Sequence, residues 1–328
     1  MDQPPSLWRW RFMGQPMVSN PTGDAGVPEE SAGQPLAFLP AASADEARFR
    51  PSRMAAETAS GGQGKGPFVV IVRGRDELTR WLCDPPAGLQ WLQVEGLLGD
   101  RDAWALAAQD LSDVPLDVML SAPGAEFSNL YRLVEVSAAR EVRVSVPAVP
   151  GFLKAVRLAA SLGLSIRLLP GQPSAEAIQE MAAALELYLH DPAVEAPVEF
   201  FHSVLAWMRG APAGSLWRIL EEDPAVFRHE EDAGGRLRLP RAAQAPWQET
   251  APPDVVQAQL ARLVTAGAEC ATCRWRPVCQ GYFKWPDPGY SCQGVKRLFS
   301  TLEAAAGEIG QDLAGCEGQP GLSGSDKP

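Results

Sequence analysis

Five short apolar runs begin 21 to 27 residues apart: FVVIVR from Phe68, LQWLQVEG from Leu89, LDVMLSAP from Leu116, VRVSVPA from Val142 and IRLLPG from Ile166. Each is rich in β-branched and aliphatic residues and reads as a buried strand. Between them lie helical segments around DELTRWL, DAWALAAQDL, SNLYRLVEVSA and FLKAVRLAASLG. Strand and helix in regular alternation restrict the chain to βα units, an α/β fold on a parallel sheet. Five strands suit either an open doubly wound sheet or a partial (β/α) barrel, and periodicity alone does not choose. The last unit leads into SAEAIQEMAAALELYLHD, where Ile178, Met181, Leu185 and Leu189 recur at helical spacing behind Ser174 as N-cap.

This βα-repeat domain occupies residues 67–191. Residues 1–66, rich in Pro, Gly, Ser and Ala, read as a disordered N-terminal arm. Within it LWRWRF (Leu7 to Phe12) is either a short docking motif or a piece that folds back on its own domain. Residues 192–247 form a helical connector, with VEFFHSVLAWMRG, SLWRILEEDP and a turn at DAGGR before LRLPR. It ends in the Pro-rich AQAPWQETAPPD. A Cys-rich domain follows over 248–315, framed by the helices VVQAQLARLVTAG and GVKRLFSTLEAAAGEIGQDLAG, and 316–328 is a disordered tail.

The chain has 328 residues, of which 46% are hydrophobic and 21% charged, enough for one large core or two smaller ones. A net charge of -11 repels phosphate backbones, so nucleic acid is not expected as a partner. No stretch approaches the roughly 18 to 20 apolar residues of a membrane helix, and the first residues do not read as a secretory signal. The expectation is a soluble, cytoplasmic protein whose thiols stay reduced and whose clustered cysteines bind metal.

Four of the six cysteines fall in CATCRWRPVCQGYFKWPDPGYSC, as C-x2-C-x5-C-x12-C from Cys270, Cys273, Cys279 and Cys292. Two thiolates three positions apart on a turn can face one metal, and two more returned by a loop complete four ligands. Four thiolates suit a tetrahedral zinc ion or an iron–sulfur cluster. Trp275, Tyr282, Phe283, Trp285 and Tyr290 form an apolar shell, suited to shielding a cluster or to the small core of a zinc domain. Cys292 sits just before a helix whose free N–H groups favour a negatively charged ligand.

The run C-x2-C-x-W-x3-C-x-GYFKWPDP-x-Y-x-C-x-GVK resembles the SPASM domain, the auxiliary cluster-binding domain of radical S-adenosylmethionine enzymes that modify peptides. The resemblance is specific over residues 268–300 and weaker over the βα units, which look like that superfamily's partial barrel. It implies one [4Fe-4S] cluster on Cys270, Cys273, Cys279 and Cys292, with Zn2+ as the alternative. Cys316 beyond the closing helix is either a free thiol or a substitute for Cys292. The family's next cysteine would stand at position 283, which is Phe283 here, so one cluster rather than two is implied. The C-x3-C-x2-C motif that makes the 5′-deoxyadenosyl radical is absent, since Cys83 is the only cysteine before Cys270. The resemblance therefore implies a non-catalytic accessory protein whose partner is a complete radical S-adenosylmethionine enzyme, together with that enzyme's peptide substrate. A zinc-stabilised protein-binding module with no redox role is the other reading.

Little else reads as chemistry. Cys83 is expected to be a buried structural thiol. His190, His202 and His229 show no metal spacing, and His202 on its apolar helix is expected to be satisfied by its neighbours. Glu95 and Gly96 stand at a strand end, where α/β proteins bind ligands, with a tight turn as the plain account of Gly96. The acidic runs EED (221–223) and HEED (229–232) are expected to be solvated.

Overall fold

The structure is a computed structural model that describes residues 68–109, 111–212, 214–231, 237–238 and 255–317. The LWRWRF arm, the DAGGR turn, the Pro-rich boundary and residues 318–328 lie outside the described residues.

All five anticipated strands form: β1 (Phe68–Val72), β2 (Leu89–Glu95), β3 (Leu116–Met119), β4 (Val142–Pro147) and β5 (Ser165–Leu169). Three more were not legible. Val198–Glu199, expected to open a helix, is β6 beside β5. Arg228–Glu230 is β7 beside β1, and Leu237–Arg238 is β8 beside β7. Strands of two or three residues are too short to carry a period, so long-range pairing alone defines them. The sheet order is β6-β5-β4-β3-β2-β1-β7-β8, parallel throughout except for β8.

From β1 to β6 every new strand is added on the same side, and right-handed crossovers then deliver every connecting helix to one face. After β6 the chain returns to the other side of β1 to place β7, a reversal found at the switch point of an open doubly wound sheet and equally in a (β/α) barrel left open between β6 and β8.

Period-two alternation divides the sheet chemically. One face presents Val70, Val72, Leu92, Val94, Val118, Val144 and Ile166, which join Leu78, Leu82 and Val156 of the helices in the hydrophobic core. The other face carries Trp91, Gln93, Asp117, Arg143, Ser145, Arg167 and His229, aligned by register and all buried.

The helix Ala175–His190 starts at Ser174, whose hydroxyl accepts from the Ala177 N–H at 3.2 Å, and Ile178, Met181, Leu185 and Leu189 are buried along it. His202 is satisfied as expected, with Nδ1 at 2.8 Å from the Tyr188 hydroxyl. Cys83 is a correction: it is exposed, because it ends the helix Arg75–Cys83 whose inward residues are Leu78 and Leu82. The segment SLWRILEEDP is helical only over Leu216–Ile219. The final helix, Gln293–Glu317, places Cys316 in its last turn rather than beyond it. No helix among the described residues is long and apolar enough to cross a membrane.

Candidate functional site

The four clustered cysteines are carried by four local devices. Cys270 lies in the 3-10 turn Glu269–Ala271, and the Cys273 N–H donates back to the Cys270 carbonyl at 3.4 Å. Cys279 ends the short helix Arg276–Cys279. Gln280 (φ 45°) and Gly281 (φ 75°) then both adopt the left-handed region. At Gly281 a Cβ would stand 2.8 Å from Leu263 Cδ1 in the helix Val255–Thr265, so both backbone and packing require glycine. The double turn aims the N–H groups of Gly281, Tyr282 and Phe283 at the Cys279 sulfur, a nest for negative charge. Cys292 immediately precedes the helix Gln293–Glu317.

Contacts with the βα region hold the long loop between Cys279 and Cys292. Gln172, just after β5, donates through Nε2 to the carbonyls of Phe283 (3.0 Å) and Asp287 (2.8 Å). The Tyr290 hydroxyl donates to the Pro173 carbonyl at 2.8 Å. Phe200, which follows β6, packs edge to face with Phe283 and Phe299 at 6.5 and 6.4 Å between centroids. The cysteine segment therefore shares the core of the βα region.

The four cysteines line one small pocket with Trp275, Phe283, Val295 and Phe299. Trp275 and Phe283 thus shield the thiols as anticipated. Tyr282 and Trp285 do not line the cavity and stack instead on Trp217, at 5.0 and 6.4 Å. Among the described residues no group of three or more His, Cys, Asp or Glu side chains stands in position to hold a single metal ion. Burial pushes Cys270 up, Cys279 up to about 11 and Cys292 up to about 12. Cys270, Cys279 and Cys292 therefore hold their protons near neutrality, and any metal must displace them.

Glu269 pins the two ends of the motif together. It accepts from the Cys292 N–H at 3.1 Å and pairs with Lys284 at 2.8 Å and with Lys296. Burial alone would raise its pKa; the hydrogen bonds from Lys284 and Lys296 outweigh this and hold it at about 2. Two ammonium groups against one carboxylate leave one positive charge beside the thiols. Donor type, a common cavity, N–H groups aimed at sulfur and a positive rim all fit a thiolate-ligated cluster.

The chain matches no family model and no curated protein.

Sequence reasoning missed a second constellation, on the polar face of the sheet. Arg143 grips Glu221 with both terminal nitrogens, Nη1 to Oε1 at 2.8 Å and Nη2 to Oε2 at 2.7 Å. Its Nη2 also donates to Asp117 at 3.2 Å, and its guanidinium lies 3.9 Å from the Trp91 ring centroid. Arg167 donates to Glu221 at 2.7 Å, to Ser145 at 2.8 Å and to Asp117. Burial opposes the charge on both sides of this network. The paired charges prevail, raising Arg143 above its ordinary value and lowering Glu221 to about 2. His229 goes the other way. Burial, reinforced by the Arg167 charge, lowers it to about 4, and its Nδ1 has no hydrogen-bond partner among the described residues.

This overturns the solvated reading of EED: Glu221 is 1% exposed, and Glu222 and Asp223 are also buried. Glu221 folds inward because strand arginines up to 78 residues away neutralise it, and Asp223 pairs with Arg218 at 3.0 Å. In HEED, His229 is buried and Glu230 and Glu231 are partly covered, while Asp232 lies outside the described residues. The available signal was the repeated intrusion of charge into apolar strands, in LDVM, VRVSV and SIRLL. A strand covered on both faces otherwise reads as a nearly continuous apolar run. Glu95 bonds Arg73 at 2.9 Å and Arg238 at 2.6 Å at the exposed strand ends, and Gly96 takes φ 74° in its turn.

Proposed function

We propose that the chain is an accessory protein that holds one [4Fe-4S] cluster on Cys270, Cys273, Cys279 and Cys292. In this reading it works beside a complete radical S-adenosylmethionine enzyme in the maturation of a ribosomally made peptide. The observation that carries the metal assignment is the common cavity around which the four cysteines stand. Four thiolates are the donor set of a cubane, each bonding a separate iron, and also of a tetrahedral zinc; the preference for iron rests on the resemblance. The SPASM-like run supplies the family setting.

Two features support an accessory role. The sequence lacks the cysteine motif of a radical-generating cluster. The turn after β1, where that motif stands in the resembled enzymes, consists of Arg73 and Gly74 alone before the helix Arg75–Cys83. When bound, a cluster supplies one-electron transfer. The chain's own residues orient and shield it: the Gly281–Phe283 amides face the Cys279 sulfur, Trp275 and Phe283 exclude water, and Glu269 ties the Cys270 turn to Cys292.

Metal and sulfide analysis of anaerobically purified protein tests this. About four irons and four sulfides per chain are expected, with a broad visible absorption band that Cys279→Ala loses. One zinc and no colour would overturn the redox reading. Co-purification with a radical enzyme encoded nearby tests the partner.

A further inference from the structure

The strand residues of the polar face carry unbalanced charge. Arg143 and Arg167 supply two positive charges and Asp117 one negative, while His229 is neutral near pH 7. The rigid sheet thus presents a net charge of one positive, fully desolvated. Its counter-charge comes from Glu221, in the connection that leads to β7. Glu221 takes φ 58° where it closes the helix Leu216–Ile219: its N–H donates to the Arg218 carbonyl at 3.0 Å and the Glu222 N–H to the Trp217 carbonyl at 2.7 Å, which fixes where the carboxylate stands.

We propose that Arg143 and Arg167 form a carboxylate-binding site that this chain fills with its own Glu221, and that a ligand carboxylate enters by displacing Glu221. A carboxylate fits better than a phosphate. The Arg143 fork meets two oxygens in one plane, one negative charge completes the balance, and Asp117, which shares Nη2 of both arginines, would repel a second. Trp217, four residues before Glu221, donates to the Gln280 carbonyl at 3.2 Å and stacks on Tyr282, beside Cys279. The site itself does not depend on what the cysteines bind.

The full chain and its Glu221→Ala and Glu221→Gln variants are titrated with sodium acetate at constant ionic strength, by calorimetry and thermal unfolding. Saturable binding at least tenfold tighter in either variant than in wild type is expected, because the tethered competitor is gone or uncharged. Adding Arg167→Gln should weaken it at least tenfold. Glu221→Gln preserves side-chain volume and carries the test should Glu221→Ala fail to fold. Triglycine with a free C-terminus, compared with its C-terminal amide, distinguishes the ligand's source. Tighter binding of the acid than of acetate identifies a peptide carboxylate, and acetate alone a small acid. No saturable binding to either variant, binding indifferent to Arg167→Gln, or phosphate bound in preference to acetate would each overturn the proposal.

Discussion

His229 gives this fold a pH dependence that one substitution should remove. Its ring is 5% exposed and its pKa falls from 6.5 to about 4, through burial first and the Arg167 charge second, against the opposing pull of Glu221 and Asp117. Between those two values the unfolded chain binds a proton that the folded chain refuses, so stability declines as pH drops through this window. A shift of about 2.5 units at 1.36 kcal/mol each amounts to about 3 kcal/mol in full, with most of it lost by pH 4.5. Urea unfolding of wild type and His229→Gln at pH 7.5 and pH 4.5 measures it. Carboxylates that titrate in the same window do so in both proteins and cancel in the difference. Wild type should lose roughly 2–3 kcal/mol more than the variant over that interval. An equal loss in both would refute the claim that His229 is held neutral in the network.

Other outcomes test the remaining parts. Arg167→Met strips Glu221, Asp117 and Ser145 of a shared donor and should destabilise the fold by about 3–5 kcal/mol in chemical denaturation, the penalty for stranding buried charge. Gly281→Ala forces a β-carbon against Leu263 at positive φ and should cost about 2 kcal/mol, with reduced metal retention on gel filtration as the Cys279 amide nest distorts. Ser174→Ala removes the cap of the helix Ala175–His190 and should cost about 1 kcal/mol without affecting metal content.

Local pattern was sufficient wherever residues act on their near neighbours. Apolar runs at regular intervals marked β1 to β5, the Ser174 cap and the stripe from Ile178 to Leu189 marked a helix, and the spacing of four cysteines marked a shared site. These features survive because hydrogen-bond geometry and side-chain period depend on a few adjacent positions. Cys83 misled because burial of a single helical thiol depends on which face turns inward.

Tertiary structure decided what needs distant partners. The pairing of β7 with β1 across about 160 residues and the inward turn of Glu221 are invisible to any local window. The physical reason is the same each time. A two- or three-residue strand or a buried carboxylate is stable only once its partners are in place, and here those partners are strands and guanidinium groups set by the whole sheet. The sequence by itself determined an α/β chain with a clustered thiol site; the assembled sheet alone created the charged network on its polar face.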